Sequence, residues 1–167
     1  SKLLGKNYSN KKIAKIASWI EVDVLKRNMG KQDHYGCSVG GLKFLTFKKN
    51  ENVLIKKIDI NKKNKIKLNN SLFVFFLNKK KDTSYILESQ KKLLTKNITL
   101  LKKIKQTAIF TNNQFKKNKF SLKLLGEQIN TNWNLKKENN KKVAFDLANK
   151  IFEYGISQNI LGGKLLG

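Results

Sequence analysis

The sequence predicts an α+β protein, strand-rich in its first half and helix-rich in its second. Two observations carry that class. Short apolar stretches at 42–47, 53–60 and 71–78 have strand length, whereas 84–110, 119–137 and 141–156 place apolar residues at helical spacing. The 167 residues include ten Phe, four Tyr and two Trp, enough large side chains for one domain with a moderate core or a domain and part of another.

Ser9 precedes Ile13, Ile16, Ala17, Ile20 and Val24, which recur at helical spacing, so Ser9 is expected to cap a helix reaching about Leu25. Residues 26–36 read as a polar loop ending in GKQDHYG, Gly30–Gly36. In GGLKFLTFKK, Leu42, Phe44, Leu45 and Phe47 read as a strand, and VLIKKIDI at 53–60 as its antiparallel partner across a turn at Lys48–Asn52. The Lys- and Asn-rich stretch 61–70 reads as a connector, and SLFVFFLN at 71–78 as a strand buried on both faces. Among the helices that follow, the last carries Phe145, Ala148 and Phe152 on one face, and the chain closes on GGKLLG, expected to be a short strand bracketed by glycines.

The 36 cations outnumber 11 anions, for a formal net charge of +25, which by itself points to nucleic acid. Arg27 is the only arginine, however, and recognition of phosphates and guanine edges favours Arg strongly. Lysines spread along the whole chain, beside abundant Asn and Ile and no Pro, fit drift in an AT-rich coding sequence, so no specific nucleic-acid partner is expected. The single Cys37 excludes an internal disulfide, fits a reducing compartment and reads as a small core residue. No apolar run approaches the ~20 residues of a membrane span, and the start has no signal-like segment, so a cytoplasmic protein without a membrane partner is expected. His34 has no second histidine with which to build a zinc site, and Trp19 and Trp133 read as packing anchors.

Glu21 lies late in the first helix, Asp33 lies in the following loop, and Gly40-Gly41 open the first strand. Two carboxylates so arranged can serve a divalent cation and a general base at one phosphate site. The residues alone allow the plainer alternative: Asp33 as a solvated turn residue and Glu21 as a helix-face side chain among lysines.

At GKQDHYG and GGLKF the sequence resembles the GHMP family of small-molecule kinases, whose sugar-kinase members carry G-[IK]-x-D-Q-[YF] before a strand. It is most similar to the branch that phosphorylates D-glycero-D-manno-heptose 7-phosphate, where G-K-Q-D-Q-Y is followed by G-G-[FL]-x-F. SLFVFFLNKKKDTSYILESQKK is similar to that branch's strand-then-helix segment, LGEQINTNWNLKK to its L-[LG]-x-x-[LI]-[HN]-x-x-W-x-L-K-K helix, and NILGGKLLG to its G-A-L-G-G-K-L-L-G stretch. The four segments occur in the family's order and span nearly the whole chain.

The resemblance implies a GHMP kinase-like fold: the end of a ribosomal-protein S5-like domain over 1–66, then a helix-rich, ferredoxin-like C-terminal domain over 67–167. It implies transfer of the γ-phosphate of ATP, with Mg2+, to the anomeric hydroxyl of a sugar phosphate, feeding nucleotide-activated heptose for surface polysaccharide. Asp33 takes the role of the base that accepts the acceptor proton, Lys31 offsets phosphate charge, Glu21 is the Mg2+-directed carboxylate, and Gly163 and Gly167 approach the nucleotide. The chain departs from the family in lacking the Gly/Ser-rich loop G-L-G-S-S-S-A that cradles ATP phosphates. It carries Asn78–Ser84 in place of a Thr-Gly-[IT]-[ST]-Arg turn, has His34 for the usual Gln, and stops where relatives continue into A-G-G-G-G. The expectation is therefore a C-terminal fragment, cut at both ends and without ATP turnover of its own. Two rival readings are a lysine-rich nucleic-acid-binding module and another GHMP sugar kinase of the galactokinase or fucokinase branch.

Overall fold

The computed structural model describes residues 5–77, 98–117, 119–139 and 146–166. These residues form helices and one two-stranded sheet, an α+β composition. The chain divides into two compact units, Ser1–Asp59 and Ile60–Gly167, seven residues ahead of the domain boundary expected at 66.

In the first unit, Ser9 caps α1 (Asn10–Trp19) as the sequence suggests, its hydroxyl accepting from the Lys12 N–H at 3.3 Å. A cap of this kind is worth about 1 kcal/mol. The helix then widens into a π turn, Ile20–Val24, closed by the Leu25 N–H on the Ile20 carbonyl at 2.8 Å. Lys26 ends it in the left-handed region at φ 52°, and the Arg27 N–H reaches back to Glu21 O at 3.0 Å. That closure is one residue wider than the usual helix-ending bond.

The expected loop at 26–36 is shorter than predicted, because Gln32–Val39 form a second helix, α2. Eight residues make a marginal helix alone, so tertiary contacts must hold it. Tyr35 supplies them: it is buried with Ala14 of α1 and Val53 of the hairpin, and its ring meets Phe47 edge-on at 6.0 Å. Gly40 and Gly41, at φ 64° and 68°, end α2, and Lys43 Nζ donates to the carbonyls of Gly36, Gly40 and Gly41 at 2.8–3.1 Å. A cation there favours the negative end of the helix dipole.

Strands β1 (Lys43–Phe47) and β2 (Val53–Lys57) pair antiparallel as expected, with Leu45 opposite Ile55 and Phe47 opposite Val53. Alternation puts these four on one face, where Leu45, Val53 and Ile55 join the core. Two expectations fail here. Cys37 is exposed on α2, and Trp19 is exposed on α1, because it lies about 140° around the helix from buried Ala14.

In the second unit the connector expected at 61–70 is a helix, α3 (Lys62–Asn70), capped by the Asn61 side chain on the Asn64 N–H at 2.8 Å. Its lysines concealed it, since they leave only Leu68 as a buried apolar contact. Among the described residues three further helices follow: α4 (Ile98–Lys116), α5 (Leu122–Asn139) and α6 (Asp146–Ser157). Residues 84–97 of the first expected helix, and Phe145, lie outside the described residues. Helices α4 and α5 are tied by the Asn132 amide donating to the Thr107 hydroxyl at 3.2 Å. Trp133 is a packing anchor as expected, at 3% exposure, with Leu68, Leu100, Phe115 and Ala148 also buried in this unit.

Residues 72–77 form no strand, and Phe73, Val74, Phe75 and Phe76 are 67–89% exposed. A continuous apolar run encodes a preference for burial but not a partner for its backbone, and among the described residues no strand pairs with it. The expected strand at the chain's end is likewise irregular through Leu166. Its path is set by close approach. A Cβ on Gly126 of α5 would lie 2.6 Å from the Leu161 carbonyl carbon, and one on Gly162 would meet the Gly126 backbone. The Asn130 side chain fixes the same approach, donating to Leu161 O at 3.2 Å and accepting from the Gly163 N–H at 2.9 Å.

Gly126→Ala should therefore overpack this contact and cost about 1–3 kcal/mol in denaturant unfolding. Wild-type stability in that variant contradicts the close approach.

Candidate functional site

The sequence-predicted residues of the first unit lie in the π turn and around the start of α2. Asp33 lies not in a loop but on the first turn of α2. The reason is geometric: two residues along a helix rotate a side chain by about 200°, so burying Tyr35 turns Asp33 outward. Asp33 is exposed, and among the described residues no hydrogen bond or ion pair engages its carboxylate. An anion in this first turn also suits the helix dipole.

Glu21 is committed. Its Oε1 pairs with the Arg27 guanidinium at 3.1 Å, and its Oε2 accepts from His34 Nε2 at 3.1 Å. The bond to a carboxylate places the His34 ring proton on Nε2, leaving buried Nδ1 without a partner. The His34 side chain is 8% exposed and that of Glu21 32%, so the bridge between the π turn and α2 is part-buried, with His34 as its shielded end. Glu21 reaches this helix from the π turn itself rather than from α1.

Lys31, immediately before α2, is also committed: its Nζ donates to Glu51 Oε2 at 2.6 Å. Glu51 stands in the hairpin turn with φ 64°. This hydrogen bond raises the Lys31 pKa above its ordinary value and lowers that of Glu51. Gly163 lies in the second unit, where its N–H is spent on Asn130, and Gly167 lies outside the described residues.

The resemblance implies Mg2+ and ATP, and among the described residues the donors it names for them, Glu21 and Gly163, are already engaged. Both Glu21 oxygens are taken, the Gly163 amide is taken, and no three His, Cys, Asp or Glu side chains converge among the described residues. What the arrangement offers chemically is one uncommitted carboxylate on a helix start, next to a lysine held by an exchangeable surface pair.

Spacing alone did not disclose Glu51, Arg27 or Asn130 as partners. Lys31 and Glu51 are twenty positions apart, and only the hairpin turn brings them together. Among the described residues no helix is long and apolar enough to cross a membrane. Comparison with protein-family models, curated proteins and solved structures gives no match for this chain.

The Lys31–Glu51 pair sets a pH window. The lowered Glu51 pKa contributes stability that is present above the ordinary carboxylate value of about 4.3 and is lost as pH falls through the folded pKa. The raised Lys31 pKa contributes below about 10.4 and is lost as pH rises through its folded value. Thermal unfolding of Glu51→Gln should thus fall below wild type between these limits and merge with it in acid. Parallel curves at every pH would remove the pair's contribution.

Proposed function

We propose that the chain is part of a GHMP-type sugar kinase and supplies its acceptor side, with D-glycero-D-manno-heptose 7-phosphate as the sugar phosphate. The fold on this reading is the end of an S5-like domain followed by a ferredoxin-like domain. The observation that carries the reading is the free carboxylate of Asp33 on the first turn of α2, within the segment similar to the family's G-K-Q-D-Q-Y.

Phosphoryl transfer from ATP depends mainly on positioning and charge neutralisation, so an aspartate held against the acceptor hydroxyl is base enough. In the complete kinase Asp33 would accept the proton of the anomeric hydroxyl as that oxygen bonds to the γ-phosphorus and the bond to the departing ADP breaks. Lys31 exchanges Glu51 for the sugar's phosphate oxygens, a charge-assisted contact of the same kind. Tyr35, Ala14 and Val53 hold the helix that carries Asp33, and the His34–Glu21 bridge fixes its side toward the π turn. With no Gly/Ser-rich loop in the sequence and with Glu21 and the Gly163 amide already spent, this chain by itself should transfer no phosphate from ATP.

Calorimetric titration with D-glycero-D-manno-heptose 7-phosphate should show saturable binding. Lys31→Met should weaken it about tenfold or more, the worth of one hydrogen bond to a charged group. Glu51→Gln should tighten it by freeing Lys31. No saturable binding, or an affinity that neither change moves, rejects the proposal.

A further inference from the structure

We infer that the stretch Leu72–Leu77, with helix α3, docks the second unit onto an anionic lipid surface. Phe73, Val74, Phe75 and Phe76 are 76%, 86%, 67% and 89% exposed, an uninterrupted apolar block. One side of that block also lines an apolar groove of about 690 Å³ with Leu125, Ile129, Ile151 and Phe152, so the apolar surface is continuous rather than four scattered side chains. Contiguous exposed apolar area of this kind marks an interaction site.

The charge that adjoins the block in sequence argues for the partner. Lys62, Lys63, Lys65 and Lys67 of α3 are all exposed, and no carboxylate occurs between Ile60 and Leu77. On a helical wheel Lys62, Lys63 and exposed Ile66 fall on the face opposite buried Leu68. Apolar side chains that enter the acyl boundary, flanked by lysines that meet anionic headgroups, are the two signals stable interfacial binding requires.

Two other occupants fit less well. A second copy carries the same net charge of +25 and repels the first. Single-stranded nucleic acid wants cations alternating with rings along a groove, whereas here the lysines and the phenylalanines form separate blocks. The inference stands apart from the kinase reading and departs from the sequence-based expectation of no membrane partner.

Flotation of the whole chain with vesicles of 7:3 phosphatidylcholine and phosphatidylserine should show binding that pure phosphatidylcholine vesicles lack. Replacing Phe73, Phe75 and Phe76 together by Ser should weaken it about a thousandfold or more, the burial of three rings being lost. Far-UV circular dichroism should not change, because these side chains are already in water. After subtraction of the signal that Trp19 and Trp133 give in the unsubstituted chain, Phe75→Trp should fluoresce further to the blue on the vesicles and be quenched by brominated acyl chains. Binding that survives the triple serine change, or an unquenched Trp, shows attraction by bulk charge alone and overturns the proposal. So does stronger binding to a single-stranded oligonucleotide that the serine changes abolish, or concentration-dependent oligomers in place of vesicle binding.

Discussion

The burial of one side chain, Tyr35, organises everything that makes the first unit of chemical interest. A helix of eight residues does not persist on its own, and α2 exists because its tyrosine is enclosed by Ala14 and Val53 and meets the ring of Phe47. Once Tyr35 faces inward, the remaining orientations follow from the helical turn. Asp33 faces water, and His34, one step of about 100° away, faces the π turn and Glu21. Ala14 is as important as the tyrosine, since a larger residue there would hold α2 away from α1.

The same geometry sorts three candidate residues by what remains free to react. Glu21 holds Arg27 and His34, and Lys31 holds Glu51, so two of the three are neutralised by partners within the unit. Their cost of exchange differs. The Glu21–His34 contact is part-buried, whereas the Lys31–Glu51 contact lies at the surface, where a competing anion can displace the carboxylate. Asp33 alone needs no such exchange. An acceptor-side role is therefore a smaller step for this chain than a nucleotide-side one.

Local rules were legible in the sequence. Ser9 before an amphipathic run, and two alternating stretches separated by five polar residues, gave α1 and the hairpin because capping and period-two burial act over a few residues. Helix α2 is not legible because Gly30 before it, Gly36 within it and its polar start mimic a loop, and the tyrosine contact that stabilises it comes from residues 21 positions before and 18 after. Helix α3 was missed because lysines mask its period. The run at 71–78 was misjudged for a different reason: apolarity states that a segment gains by burial, and says nothing about which backbone will pair with it. At the site, residue types pointed to Asp33, Lys31 and Glu21, while the pairings that decide their availability arise only from the folded turn and the widened helix end.

Chemical-shift mapping of the isotopically labelled chain with D-glycero-D-manno-heptose 7-phosphate tests the account most directly, because it reports position as well as affinity. The account predicts amide shifts concentrated over Gly30–Tyr35, together with movement of the Glu51 carboxylate as Lys31 leaves it. Shifts confined to other residues, with Gly30–Tyr35 and Glu51 unmoved at saturating sugar phosphate, would contradict it.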